Sequence, residues 1–211
     1  IAGYATYLKT ELKRAKVEIV LGKEATTSLT QDQRWDAVIV ATGARQIVPK
    51  ISGIGRSNVV YAWDVLKGKV ETGGTVVVVG GGMVGCETAE YLAAKGRDVT
   101  VVEMLPEIAW DMEPFSKMFL LERFREQGVK TFASFRVDEV DAGGVKAMDR
   151  NSRSHTIKAS TVVIAVGSES NDELYLALQG RMKELYRVGD CKEPRRILEA
   201  VHEGAHTAYL V

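Results

Sequence analysis

The sequence predicts a Rossmann-like α/β fold in three layers, and two patterns in the middle of the chain support this. Residues 75–79 form an apolar run of strand length, and a glycine-rich turn, a helical pattern and a second apolar strand ending at Glu103 follow. Residues 129–166 then carry several short β-like segments. Strands that alternate with helices favour a parallel sheet covered on both faces. We expect the β-rich stretch to be a crossover between two strands of that sheet.

The turn after the first strand has the spacing G-x-G-x-x-G. The first glycine allows a tight turn, the second lets the backbone approach a phosphate, and the third lets helix and strand pack closely. Backbone N–H groups at the helix start then face the phosphates, and the helix dipole adds positive potential. The residues expected to bind a dinucleotide here are Gly80, Gly81, Gly82, Met83, Val84 and Gly85. The alternative is a structural glycine turn in an unrelated α/β fold.

Glu103 ends the second strand about 20 residues beyond the glycines, where such folds place an acidic residue. A carboxylate there accepts hydrogen bonds from a ribose 2′-hydroxyl and repels a 2′-phosphate. The segment Met104–Glu107 adds no cation. We therefore expect NADH to be preferred over NADPH, unless Arg97 or Arg45 approaches from elsewhere.

Charge and hydropathy narrow the class of partner. The chain of 211 residues has 28 basic and 28 acidic residues, so its formal net charge is zero. Nucleic acid or an anionic membrane surface is therefore not expected as a partner, because each favours a basic excess. The longest apolar runs have the length of strands and not of membrane spans.

Cysteine and histidine positions suggest no catalytic or metal chemistry of their own. Cys86 and Cys191 have no C-x-x-C spacing, which indicates a reducing, cytoplasmic compartment and no redox-active disulfide. His202 and His206 lie four apart on a predicted helix, but no third ligand completes a metal site. No catalytic acid or base is predicted, and hydride transfer between cofactors needs none.

The remaining elements are predicted from shorter patterns. We expect a helix over residues 4–15, a strand over 17–21 and a buried strand over 36–43. Near the end, a strand over 185–190 leads into a helix over about 193–211 with Pro194 in its first turn. Residues 37–43 (AVIVATG) also resemble residues 161–167 (TVVIAVG), which suggests two related units in tandem.

The order of four segments resembles the flavoproteins that carry two dinucleotide-binding domains, of the pyridine nucleotide-disulfide oxidoreductase type. The segments are a strand ending in ATG, then GGGMVGCETAEYL, VVIAVG, and RVGDC followed by a helix. More narrowly, GDCKEPRRILEAVHEG resembles the C-terminal region of the 2,4-dienoyl-CoA reductase and trimethylamine dehydrogenase group of NADH:flavin oxidoreductases. The resemblance covers nearly the whole chain.

The resemblance implies that an NAD-binding domain, residues 73–168, is inserted into an FAD/ADP-binding α/β domain made of residues 1–70 and 180–211. It implies that the ATG segment lies near the adenine dinucleotide and the interdomain crossover, and that the second strand-end glycine borders the nicotinamide site. It also implies that the Gly-Asp aspartate contacts the ribityl chain of FAD. The residues concerned are Ala41, Thr42, Gly43, Val166, Gly167 and Asp190. From the residues alone, Asp190 could equally cap the following helix.

The first glycine fingerprint of such flavoproteins is absent from the residues before Asp36. We therefore expect a truncated FAD-binding domain and a C-terminal part of an NADH-dependent flavin oxidoreductase, with FAD held weakly or not at all by this chain. Its partners would be the N-terminal segments of the parent protein, in a possible oligomer. The alternative is a non-catalytic ADP-binding or electron-transfer docking module.

Overall fold

The computed structural model describes residues 2–28 and 35–211. Its helices are α1 (Ala2–Arg14), α2 (Ala62–Leu66), α3 (Met83–Ala94), α4 (Pro114–Glu126), α5 (Glu173–Leu178) and α6 (Ile197–Ala208). Its strands are β1 (Val38–Val40), β2 (Ala44–Gln46), β3 (Val59–Tyr61), β4 (Thr75–Val79), β5 (Asp98–Glu103), β6 (Lys130–Ala133), β7 (Phe135–Asp141), β8 (Gly144–Asp149), β9 (Ser154–Lys158), β10 (Thr161–Ile164), β11 (Ser168–Ser170) and β12 (Leu185–Arg187).

A five-stranded sheet in the order β3-β10-β4-β5-β6 forms the centre of the molecule, and every neighbouring pair in it is parallel. Strand β4 lies in the middle and is buried on both faces. Val76 and Val78 pack in the cluster that contains residues of α2, α3 and α4, whereas Val77 and Val79 pack in the opposite cluster. Burying each valine contributes about 1.5–3 kcal/mol, which explains the continuous valine run.

The second face of the sheet is covered by an antiparallel meander of β7, β8 and β9. This meander lies in the connection from β6 to β10 and buries Val137, Val140 and Val145 against the sheet. Helices, sheet and meander make three layers. The structure thus confirms the predicted α/β class and the predicted β-rich crossover.

Two small sheets lie beside the central one. Strand β1 pairs with β12 in parallel, with Val38 opposite Leu185. Strand β2 pairs with β11 in an antiparallel ladder, with Ala44 opposite Ser170. Residues 37–43 and 161–167, which resemble each other in sequence, each end at a glycine. Each segment leads into one strand of the β2–β11 pair. The division into an inserted domain and a surrounding one stays a prediction.

Several predicted elements differ from the structure. The buried strand predicted over residues 36–43 is only β1 (Val38–Val40), in which Ile39 is 41% exposed. The strand predicted over 185–190 ends at Arg187, because Gly189–Cys191 form a 3-10 turn. Residues 17–21 form no strand, and Leu21 is 86% exposed. Helix α6 begins at Ile197 and not near residue 193. Arg196 has an extended backbone at the N-cap position, its N–H donates to the Glu199 carboxylate at 3.1 Å, and Pro194 lies before the helix. Within residues 2–28 and 35–211, the structure has no helix whose length and apolar character would let it cross a membrane.

Candidate nucleotide-binding site

The glycine loop between β4 and α3 has the backbone geometry that its spacing predicts. Gly80 has a φ of +105°, and a Cβ there would collide with the carbonyl of Ala165, the residue that follows the neighbouring strand β10. A Cβ at Gly85 would collide with the Gly80 carbonyl oxygen. Only glycine allows this turn and the close approach of α3 to the end of β4.

Glu103 holds the glycine loop from the end of β5. Its Oε2 accepts a hydrogen bond from the Gly81 N–H at 2.6 Å, and its Oε1 accepts one from the Leu105 N–H at 2.7 Å. The residue is only 5% exposed, so both bonds form in a largely water-free setting. Each carboxylate oxygen has a second lone pair that could accept a further hydrogen bond.

The first turn of α3 is capped from a distance. Its N-cap residue is Gly82, which has no side chain, and the Met83 N–H donates to Oδ1 of Asp111 at 2.7 Å. The segment that carries Asp111 folds back over the glycine loop, where the Ala109 N–H donates to the Gly81 carbonyl at 2.6 Å. A carboxylate therefore lies where the helix start would otherwise present a free N–H.

Cys86 lies buried beneath the same loop. Its Sγ donates to the Gly81 carbonyl at 3.2 Å. Burial is the main cause that raises the pKa of this thiol to about 12, and the carboxylates of Asp111 and Glu103 add to it. The thiol is therefore protonated at neutral pH and stabilises the loop instead of acting as a nucleophile.

Two cavities open beside the loop. One of about 580 Å³ lies next to Glu103, and one of about 520 Å³ lies next to Asp190. Both fall within the range of small-molecule and cofactor sites. The residues that line both are Met83, Val84, Trp110, Asp111, Ala165 and Gly167. The start of α3 therefore lies between the two cavities.

The structure brings most of the predicted site residues to these cavities. Those that line the larger one are Gly80, Gly82, Met83, Val84, Glu103, Val166 and Gly167. Asp190 lines the smaller one together with Met83, Val84 and Gly167. Gly81 and Gly85 lie behind this surface and shape the loop. Ala41, Thr42 and Gly43 line neither cavity; the Thr42 hydroxyl donates to the Asn171 carbonyl, and the Gly43 carbonyl accepts from the Asn171 N–H at 2.9 Å.

Asp190 lies in a turn held by ion pairs. Its Oδ1 accepts from the Arg195 N–H at 3.2 Å, which is the cap-like contact that the sequence left open. Glu203 holds the turn by accepting from the Gly189 N–H at 2.8 Å, from Lys192 Nζ at 3.0 Å and from the Arg195 guanidinium. These contacts, that from Arg195 above all, lower the pKa of Glu203 to about 2. Asp190 thus has a structural contact and also faces the cavity.

Several lining residues were missed from the sequence. They are Lys50, Trp63, Trp110, Asp111, Arg136, Arg195 and Arg196. The one available signal was the Trp-Asp pair shortly after Glu103, since an aromatic and an acid close to a predicted nucleotide strand can face the ligand. Within the part of the chain that the structure describes, no group of three or more His, Cys, Asp or Glu is arranged to hold a metal ion.

Comparison with known proteins places this geometry in a family. The profile described as "Pyridine nucleotide-disulphide oxidoreductase" matches residues 2–206. The chain is 38% identical to an NADH oxidase of Thermoanaerobacter brockii over all of its own length and 33% of that protein. It is 37% identical to a bilirubin reductase of Mediterraneibacter gnavus, over 94% of this chain and 31% of that protein.

Solved structures agree with this result. A 2-naphthoyl-CoA reductase in complex with 2-naphthoyl-CoA superposes with a TM-score of 0.88 at 32% identity, over 94% of this chain and 30% of the other. The chain spans about a third of the length of the curated relatives it matches. It belongs to the pyridine nucleotide-disulphide oxidoreductase family.

Proposed function

We propose that this chain is the pyridine-nucleotide-binding part of an NADH-dependent flavin oxidoreductase, which passes hydride from NADH to a flavin held mainly by other segments of a longer protein. The observation that carries the proposal is the glycine loop, which exposes backbone between two adjoining cavities with a carboxylate at the end of β5. The similarity to an NADH oxidase and to reductases supports the same chemistry.

The described residues fit a dinucleotide. Gly82 presents bare backbone, and even a Cβ there would come within 3.3 Å of Asp111. Glu103 would hold the adenosine ribose, and the N–H groups of Met83 and Val84 would hold the pyrophosphate. Val166 and Gly167 would border the nicotinamide.

The flavin side of the site would be formed by Asp190 together with Ala41, Thr42 and Gly43. The nicotinamide supplies the hydride and is oxidised, while the flavin accepts it and is reduced. This chain's own task is to bind and orient the nucleotide. In this proposal the smaller cavity, which Gly167 and Asp190 both line, is where the two cofactors approach each other.

Preference for NADH follows from the charges around the larger cavity. Arg45 and Arg97 line neither cavity, and Arg45 pairs with Glu173 at 2.8 Å. Lys50 and Arg136 do line the larger one. Arg136, however, pairs with Asp138 at 2.7 Å, so its charge is largely compensated. The Glu103 carboxylate would then repel a 2′-phosphate, and Lys50 would be the main cation that opposes this repulsion.

Enhancement of NADH fluorescence on titration with the purified chain tests the proposal. Gly82→Glu places a carboxylate on the phosphate-facing backbone and should abolish binding. Gly74→Glu adds the same charge at the far end of β4, where a side chain has open space, and should not. Equal NADH affinity in both variants would contradict the assignment of the loop.

Two further measurements test the cofactor assignments. NADH should bind more tightly than NADPH, and Asp138→Asn should narrow the difference by freeing Arg136. If NADPH binds more tightly and Glu103→Ala leaves that preference unchanged, the account of selectivity fails. The purified chain should retain little FAD, so a stoichiometric yellow chromophore would contradict that part of the proposal.

A second candidate is a non-catalytic ADP-binding or docking module, in which the nucleotide contributes to stability. The Asp111 carboxylate at the start of α3 favours the docking form of this candidate, because this anion opposes the pyrophosphate of ADP and of NADH alike. The two candidates differ in the role of the nicotinamide. Equal affinity for ADP and NADH, with no flavin reduction when NADH and FAD are both supplied to the intact parent protein, would support the module.

A further inference from the structure

We infer that Asp111 is an internal anion that competes with the nucleotide pyrophosphate for the start of α3 and so sets the affinity of this chain for NADH. The inference rests on the proposed function and deepens it. It assigns to Asp111 a role that differs from that of Glu103, although both carboxylates bind backbone N–H groups of the same loop.

The first argument is the position of the carboxylate. Met83 is the first residue of α3, a helix of 12 residues, and its N–H is one of the donors that the helix leaves free for an anion. Oδ1 of Asp111 accepts from this N–H at 2.7 Å. A phosphate oxygen and the Asp111 carboxylate cannot both occupy that position.

The second argument is that this cap is unusual in origin. Helices are normally capped by the residue at their own N-terminus, as α4 is by Glu113, whose side chain accepts from Phe115 and Ser116. The N-cap of α3 is a glycine, and its acceptor comes from a segment that lies beyond β5. Because Gly82 has no side chain to cap the helix, the Met83 N–H can bind either a phosphate or the carboxylate of Asp111.

The third argument is how the segment is fixed. Two hydrogen bonds hold its backbone. The Ala109 N–H donates to the Gly81 carbonyl at 2.6 Å, and Arg196 Nη2 donates to the Asp111 carbonyl at 2.9 Å. Ala109 is fully buried and lies in the left-handed region at φ +52°. The backbone of the segment is thus held by contacts that do not involve the Asp111 side chain. Rotation of this carboxylate alone would free the Met83 N–H for a phosphate.

The test compares the dissociation constants of NADH for the wild type, Asp111→Ala and Asp111→Asn. Removing the competing anion should tighten NADH binding about tenfold in the alanine variant, the scale of one hydrogen bond to a charged group. The asparagine variant should show a smaller gain because its amide oxygen still accepts, though without the charge.

Glu107→Gln is the matched control. It removes one negative charge from the same segment, but Glu107 is exposed, pairs with Lys117 and lines neither cavity. This variant should bind NADH as the wild type does. ADP should reproduce the gain seen for NADH in Asp111→Ala, whereas adenosine, which has no phosphate, should not.

Thermal unfolding separates competition from a purely structural cap. Ligand-free Asp111→Ala should have a lower Tm, because α3 loses its cap, and saturating NADH should raise its Tm by more than it raises that of the wild type. NADH binding that is unchanged or weaker in both Asp111 variants, or an equal gain for adenosine, overturns the inference and leaves the proposed function intact. Absence of NADH binding in the wild type and in every variant overturns both.

Discussion

Replacing Glu103 by Gln should destabilise the folded chain, although the two side chains have nearly the same shape. The two carboxylate oxygens accept from the N–H groups of Gly81 and Leu105 at 2.6 and 2.7 Å, and the residue is 5% exposed. Glutamine offers one oxygen only. Its NH₂ group would face one of these two N–H groups, donor against donor.

The size of the effect follows from the bonds lost. A hydrogen bond to a charged group contributes about 1.5–3 kcal/mol, and a buried donor without an acceptor costs about 1–3 kcal/mol. Since one bond is lost and the other becomes a neutral one, we expect a loss of about 2–4 kcal/mol in the free energy of unfolding. That is a large part of the ~5–15 kcal/mol typical of a domain.

Urea denaturation followed by far-UV circular dichroism measures this change, with the midpoint and the slope fitted separately. Glu107→Gln, an exposed residue of the same segment, should change stability by less than about 0.5 kcal/mol. If the free energy of unfolding of Glu103→Gln lies within about 0.5 kcal/mol of the wild-type value, the reasoning is refuted, and Glu103 does not hold the glycine loop.

Other parts of the structure make further predictions. Gly85→Ala should lower the free energy of unfolding by about 1–3 kcal/mol, because its Cβ would overlap the Gly80 carbonyl oxygen. Gly204→Ala lies in open space on α6 and should be neutral or stabilising, and melting temperatures check both variants. Neither Cys86 nor Cys191 should react with a thiol reagent at neutral pH before the chain is unfolded, because both are buried and the pKa of Cys86 is raised to about 12. A spectrophotometric thiol assay with and without denaturant checks this. The pKa of Glu203 is lowered in the folded state, so the stabilisation it provides should be complete above its ordinary pKa of 4.5 and be lost as the pH falls toward about 2. Glu203→Gln should therefore flatten the pH dependence of Tm between these two pH values.

The central sheet could be predicted because local and tertiary preferences agree there. Strand β5 ends where the sequence pattern places it, at Glu103, and α3 directly follows the glycine loop, beginning at Met83. Residues 17–21 show the opposite case. Among residues 2–28 and 35–211, no strand lies beside this apolar alternation to complete its hydrogen bonds, so it produces no strand there.

The candidate site was predictable in its chemistry but not in its contacts. The spacing of the glycines and the position of Glu103 follow from what a phosphate and a ribose need, so they can be read along the chain. No such local rule indicates that Ala109 and Asp111 fold back onto Gly81 and Met83. That contact depends on tertiary structure, as does the pairing of β2 with β11.

Family membership confirms the resemblance that the segments GGGMVGC, VVIAVG and RVGDC indicated, and with it a pyridine nucleotide and a flavin as the cofactors of this family. The domain boundaries and the individual binding roles stay predictions. The chain spans about a third of the length of these relatives.

Hydrogen–deuterium exchange with and without NADH tests the central claim most directly, because it reports on backbone amides along the chain. The account predicts that saturating NADH slows exchange in the peptides that cover residues 80–94 and 103–112, with smaller changes in β1 and β12. Protection confined to other segments, or no change at concentrations that saturate NADH fluorescence, would contradict the assignment of the glycine loop as the nucleotide site.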